Sequence, residues 1–241
     1  MQIFSKIDIG RVRSSNQDAY FTGELSDGSA FAVVCDGMGG ANAGNIASET
    51  AVKGISEYIL RSYRTSMSVD DIEKLLINAI SSVNIEIYDM SQKSPELSGM
   101  GTTAVVAVVR NGRAIIAHVG DSRIYLVGDE LKQLTRDHSI VQSMVESGTI
   151  TPTEAKRHPR KNIITRALGA EEDVAVDSDV LDVDSGQSLL LCTDGLSNFV
   201  EATDILRIFK QTKIENVAET LVDTANNNGG GDNIAIVTIT L

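Results

Sequence analysis

Cysteine and histidine are scarce in this chain, with two cysteines and three histidines among 241 residues. That supply is too thin for a zinc site built from thiolate and imidazole. Without a secretion signal, Cys35 and Cys192 read as free buried thiols rather than a disulfide. No apolar run approaches the ~20 residues that span a bilayer. The opening Met1-Gln2-Ile3-Phe4-Ser5-Lys6 lacks the charged-then-apolar order of a signal peptide. A cytoplasmic protein without membrane contact is therefore expected. Basic residues are outnumbered, 21 Lys+Arg against 33 Asp+Glu, and the net charge of -12 argues against a nucleic-acid partner. Repeats, low-complexity segments and proline-rich linkers are also missing. Residues 1–241 are accordingly read as a single domain, ending on a strand over 234–241 with no tail or anchor after it.

The patterns that are present alternate between helix and strand. Ser68 caps a segment carrying Ile72, Leu75, Leu76, Ala79, Ile80, Val83 and Ile87 on one stripe. Ala47, Ala51, Ile55 and Ile59 mark an earlier helix, and Val217, Ala218, Leu221, Val222 and Ala225 a late one. The middle of the chain reads as β. Segments 103–109 and 114–119 flank Asn111-Gly112, and segments 124–127 and 131–134 flank Gly128-Asp129. Consecutive hairpins predict an antiparallel meander rather than a doubly wound parallel sheet. The expected class is α+β, antiparallel sheets with helices on their outer faces. Between residues 137 and 168 the pattern weakens around Gly148, Pro152 and Pro159, as in a partly helical flap over about 139–165. The basic residues at 156–161 within it read as a solvated face, or as a patch that attracts a phosphorylated partner.

Three aspartates stand where chain geometry presents a side chain outward. Asp36 closes the apolar run 31–35 and precedes Gly37-Met38-Gly39-Gly40. Asp194 closes 189–193 and precedes Gly195, while Asp232 follows three glycines and precedes the apolar run 234–237. Carboxylates at strand ends, beside glycines that permit close approach, suggest a hard-metal site. Strand alternation puts Cys35 and Asp36 on opposite faces. Asp27-Gly28 has no buried strand before it and reads as a plain turn. His118 reads as a packed or edge histidine of the β region.

Taken together, six ordered motifs resemble the metal-dependent protein serine/threonine phosphatases, the type 2C family. They are Arg13-Ser14-Ser15-Asn16-Gln17-Asp18, Asp36-Gly37-Met38-Gly39-Gly40, Gly101-Thr102-Thr103, Gly120-Asp121-Ser122-Arg123, Asp194-Gly195 and Gly231-Asp232-Asn233. The stretch 161–169 is similar to the segment after the flap in bacterial members. The resemblance covers essentially the whole chain. It implies a four-layer α-β-β-α sandwich with two antiparallel sheets. It implies that Asp36 bridges two divalent metals, that the Gly37 carbonyl binds one, and that Asp194 and Asp232 bind the other. It further implies that Asp18 holds metal-bound water, that Arg13 grips the substrate phosphate, and that Asp121 and Asp194 share a weaker third metal. Oxygen ligands of this kind suit Mn²⁺ or Mg²⁺. The implied reaction is hydrolysis of phosphoserine and phosphothreonine esters by a hydroxide bridging the metals. The implied setting is a monomer acting on phosphorylated proteins, opposite a bacterial serine/threonine kinase.

Two positions depart from the family pattern. Position 17 is Gln where many members carry Glu, which weakens an expected water-mediated metal contact. Position 38 is Met where many eukaryotic members carry a histidine general acid, so the leaving oxygen must take its proton elsewhere. Other readings stand beside this one. A non-catalytic phosphoprotein-binding module on the same fold should have lost a metal aspartate, and none is missing. A phosphohydrolase for small metabolites would favour small esters over phosphopeptides. A cysteine-nucleophile phosphatase needs arginine six positions after the cysteine, where this chain has Ala41 and Asn198.

Overall fold

A computed structural model of the chain describes residues 1–39 and 43–241. Gly40 and Ala41 lie outside the described residues. Strands β1 (Gln2–Asp8), β2 (Asp18–Glu24) and β3 (Ala30–Met38) come first, followed by helices α1 (Ala43–Ser62) and α2 (Val69–Lys93). Next are β4 (Gly101–Thr102), β5 (Ala104–Arg110), β6 (Arg113–Val119), β7 (Arg123–Val127) and β8 (Leu131–Gln133). The short helices α3 (Ile140–Glu146) and α4 (Pro152–Ala155) precede β9 (Asp177–Asp182) and β10 (Ser188–Cys192). Helices α5 (Asp194–Ser197), α6 (Ala202–Gln211) and α7 (Ile214–Asn227) lead to the last strand, β11 (Ile234–Thr240). Among the described residues no helix is long and apolar enough to cross a membrane.

The strands form two antiparallel sheets, ordered β1-β11-β10-β7-β8 and β2-β3-β5-β6-β9, with β4 paired to β3. Strand alternation turns these sheets into the middle of a sandwich. On β3, Ala30, Ala32 and Val34 face the other sheet and meet Leu189, Leu191 and Val237. The intervening Phe31, Val33 and Cys35 face α1 and α2. On β10, Leu190 and Cys192 face outward to Leu221, Val222 and Ala225 of α7. Both sheets are therefore covered on both faces, which is why their strands read as continuous apolar runs. This is the α-β-β-α arrangement that the resemblance implied. Both cysteines are free and buried.

The hairpins and helix starts form where local chemistry predicts them. Asn111 and Gly112 both have positive φ, 51° and 72°, as the two-residue turn between β5 and β6 requires. Ser68 accepts from the Asp71 amide and Asp71 reaches back to the Ser68 amide, a reciprocal cap at the start of α2. One expectation needs correction. The two hairpins are not one meander: β5 and β6 belong to one sheet, β7 and β8 to the other. The chain changes sheet at Gly120-Asp121-Ser122, where Gly120 takes φ 104°. Both faces of each strand are apolar, so periodicity alone could not say which sheet a hairpin joins.

Helix α2 also anchors the segment just past the expected flap. Buried Asn84 accepts from the Gly169 amide at 2.8 Å. Its Nδ2 donates to the carbonyls of Glu171 and Glu172 at 3.1 and 2.8 Å. Asn84→Ala removes the partner of a buried amide and of backbone carbonyls, so a loss of about 2 kcal/mol is expected. Urea unfolding of the variant checks this, and a midpoint equal to wild type would count against the anchor.

Candidate metal centre

The aspartates of the sequence motifs converge at one end of the cleft between the sheets. Asp36, Asp121, Asp194 and Asp232 line one pocket with Arg13, Gln17 and the Gly37 backbone. Asp18 lies directly opposite Asp36 in the β2–β3 pairing. Every site residue expected from the sequence is thus brought to one place. Asp36 is held near the end of β3 by its main chain. The hydroxyl of Thr103 accepts from the Asp36 amide at 3.0 Å, while Thr102 Oγ1 and the Thr103 amide donate to its carbonyl at 2.8 and 2.9 Å. Thr103 Oγ1 is in turn 2.6 Å from Ser122 Oγ, beside Asp121. The residue after Asp36 must be glycine, because a Cβ at Gly37 would stand 2.0 Å from the Gly44 carbonyl oxygen and 2.6 Å from that of Gln17.

Hydrogen bonds from distant segments orient the carboxylates. Thr193 Oγ1 donates to Asp18 Oδ2 at 2.7 Å and accepts from the Ala235 amide at 2.9 Å. Asn198 Nδ2 donates to Asp194 Oδ2 at 2.8 Å across one turn of helix. Arg13 Nη2 donates to Asp232 Oδ2 at 2.7 Å. Asn233 joins the first and last motifs. Its Oδ1 accepts from the Gln17 amide, and its Nδ2 donates to the carbonyls of Ile9 and Ser15, all at 2.9 to 3.0 Å. The motifs contain Thr103, Ser122 and Asn233, but reasoning from the sequence gave them no role. Asn198 and Thr193 carried no motif signal beyond their proximity to Asp194.

The electrostatics are those of a crowded anionic site. Burial raises the Asp18 carboxyl well above the ordinary carboxylate range, with Asp194 and Asp232 adding to it and the Thr193 hydroxyl opposing it. Burial also raises Asp36, reinforced by Asp18, Asp194 and Asp121. Asp121 is pushed up to about 7 by burial and then by Asp194 and Asp137. Asp194 is pushed up to about 6 by burial and then by Asp232. Arg13 is raised, first by its hydrogen bond to Asp232. Among the described residues, Asp18 Oδ1 and Asp194 Oδ1 are buried without a hydrogen-bond partner. Buried anionic oxygens left unpaired are costly, and a hard divalent cation would satisfy them with the oxygen ligation it prefers. The residues therefore fit such an ion.

A second buried network lies beside Asp121. His138 Nδ1 accepts from the Gly120 amide at 3.0 Å, leaving Nε2 to face Asp177 Oδ2 at 3.2 Å. Arg166 Nη1 donates to Asp177 Oδ1 at 2.6 Å. His118 is buried as expected, and its ring stacks on His138 with centroids 4.9 Å apart. Arg123 and Asp137 form a forked ion pair at 2.6 to 3.1 Å, on the floor of a neighbouring cavity of about 380 Å³ that also reaches Asp121 and Asp194. Across that cavity Lys156 pairs with Glu201, and Lys161 Nζ donates to Asn198 Oδ1 at 3.4 Å. The excursion expected around residues 139–165 thus leans over the site.

Known proteins with this sequence and shape share one chemistry. Residues 11–227 match the protein phosphatase 2C family. The chain is 40% identical over 236 residues to the serine/threonine phosphatase stp of Listeria monocytogenes serotype 4b, covering 97% of this chain and 93% of that one. It superposes on the serine/threonine phosphatase Stp1 from Staphylococcus aureus with a TM-score of 0.94 at 33% identity, over 100% of this chain and 94% of the other. The catalytic domain of the serine/threonine protein phosphatase PstP, solved in complex with two manganese ions, matches with a TM-score of 0.83 at 30% identity, covering 98% and 96%. This chain belongs to the protein phosphatase 2C family, in its bacterial branch.

Proposed function

We propose that the carboxylate cluster holds two divalent cations and that the chain uses them to hydrolyse phosphoserine and phosphothreonine esters. The protein is a serine/threonine phosphatase. One observation supports the metal reading above the rest: Asp18 and Asp194 each bury a carboxylate oxygen that has no partner among the described residues, at the convergence of Asp36, Asp121 and Asp232. The manganese-bound PstP domain, with the same fold, agrees with it. Asp36 and the Gly37 carbonyl would hold the cations from β3, Asp36 serving both, and Asp194 and Asp232 would hold one of them from the opposite wall. Asp18 would orient water beside them, and Asp121 with Asp194 would hold a weaker third cation. The cations, Mn²⁺ or Mg²⁺, supply Lewis-acid charge and lower the pKa of water.

The chain's own groups do the rest. Arg13 has its side chain half exposed beside Asp232. Its planar fork is free on one edge to take two phosphoryl oxygens. Met38 lines the cleft with no proton to give, and no histidine lines it among the described residues, so water protonates the leaving oxygen. Residues 1–241 act as one catalytic unit, with 139–165 as its flap. The setting is a cytoplasmic monomer that reverses the work of a serine/threonine kinase.

Excess chelator should abolish hydrolysis of a phosphothreonine peptide, and Mn²⁺ or Mg²⁺ should restore it. Full activity in chelator would overturn metal dependence. Stability should follow the same logic. The folded state raises Asp121 and Asp194 from 3.8 to about 7 and about 6. Their contribution to the chelated protein is therefore fully present below the unfolded value near 3.8 and is lost as pH rises through those folded values. Cation binding needs the deprotonated carboxylates, so saturating Mn²⁺ should reverse the slope. Melting temperatures from about pH 5 to pH 8, with and without metal, check the sign, and equal slopes would contradict it.

Asp36→Asn and Asp194→Asn should each lower turnover by about a hundredfold or more, roughly 2.7 kcal/mol of barrier. Both variants should melt at or above the temperature of the chelated wild type, because each removes an acid from a repelling cluster. Near-normal rates in either would withdraw that residue as a ligand. Asp121→Ala should leave stability nearly unchanged while turnover drops about tenfold, roughly 1.4 kcal/mol, and the Mn²⁺ concentration required should shift. Steady-state rates across a Mn²⁺ titration, with a melting curve, test this. Wild-type rates at every metal concentration would remove Asp121 from the site.

A further inference from the structure

A second groove opens from the catalytic cleft on the side away from α3 and α4. It encloses about 440 Å³, within the range of about 300–1,000 Å³ usual for ligand sites. The two depressions adjoin, and Met38 and Ile164 line both. Beyond them the groove has an apolar floor that includes Ala167 and Val174, and an acidic wall bearing Glu171 and Asp173. Both acids are exposed, and neither is ion-paired among the described residues. Arg166, on the same wall, already donates to Asp177 Oδ1 at 2.6 Å and to the Ala175 carbonyl at 2.9 Å. The wall is preformed, since Asn84 grips the carbonyls of Glu171 and Glu172 from α2.

From this geometry we infer that the groove is a specificity subsite for the polypeptide flanking the phosphorylated residue, and that it selects flanks carrying Lys or Arg. The inference rests on the phosphatase reading above and adds a substrate preference to it. A peptide whose phosphate enters the cleft has one of its two flanks directed past Met38 and Ile164, where this groove begins. Its apolar floor suits the methylene stems of long basic side chains. Its unpaired carboxylates supply complementary charge to their heads. A small phosphate ester reaches none of these groups.

The test uses the Mn²⁺-loaded full chain and phosphothreonine peptides with Arg-Lys or Glu-Glu on either the N-terminal or the C-terminal flank. On one of the two sides, kcat/KM should favour the basic peptide by about fivefold, the scale of a pair of solvent-exposed ion pairs. Raising the salt should shrink the preference. Glu171→Lys with Asp173→Lys should reverse it, and the milder Glu171→Gln with Asp173→Asn should flatten it. Hydrolysis of p-nitrophenyl phosphate, which has no flank, should be unchanged in both variants. Equal rates for basic and acidic peptides on both sides, or a preference that survives both variants, would overturn the subsite while leaving the phosphatase reading intact. Failure of metal-loaded wild type to hydrolyse any of these esters would overturn the phosphatase reading and the subsite with it.

Discussion

The mutual repulsion of buried carboxylates is the constraint around which this molecule is arranged. Acids drawn from segments far apart in the sequence are held at one end of the cleft, where burial and neighbouring charge both oppose ionisation of Asp18 and Asp36. Such a cluster persists only if the chain fixes it from outside. Threonine hydroxyls clamp the Asp36 backbone and the Asp18 carboxylate, an asparagine amide steadies Asp194, and Arg13 neutralises part of the charge at Asp232. The two apolar sheet faces contribute the rigid frame. Their packing fixes the strand ends that carry or flank the carboxylates, so a bound cation would relieve the repulsion without rearranging the frame.

Much of this frame is legible in the sequence because its determinants are local. The Ser68 cap, the Asn111-Gly112 turn and the apolar stripes of α2 and α7 each depend on residues within one or two turns of each other. Asp36, Asp121, Asp194 and Asp232 are legible because each sits near a strand end beside glycine, and Asp18 because its motif resembles that of a known family. The sheet membership of the two hairpins is not legible, since strands buried on both faces carry no mark of which sheet they join. Nor are the ties that position the site. Thr193 and Asp18 are 175 residues apart. Asn233 and Gln17 are 216 apart, and Asn84 meets its partners across more than 80 positions. A polar side chain that serves a distant backbone looks, in sequence, like any surface threonine or asparagine.

The site is therefore asymmetric in what surrounds it. On one side lysines of the 139–165 segment reach across to α5 and the residues beyond it. On the other, the segment after it runs as an acidic wall pinned by α2. On the function proposed above, a polypeptide crossing the site would meet lysines on one flank and carboxylates on the other. Charge so placed sets orientation and encounter more than total affinity.

The path of residues 139–165 has a further consequence. Ser139 bridges Ile164, the Ile140 amide donates to the Ile163 carbonyl at 3.0 Å, and the Thr165 amide donates to the His138 carbonyl at 2.8 Å. The excursion thus leaves and rejoins the framework at adjacent points, and the same His138 secures the turn that carries Asp121. A loop closed at its base in this way can double in length for only about 0.6 kcal/mol. A change of length in its interior would leave in place the strand ends that carry or flank the aspartates, and would reach Asp194 only through contacts such as Lys161 to Asn198. The excursion is thus joined to the framework through a single narrow neck, set apart from the segments that carry the carboxylates.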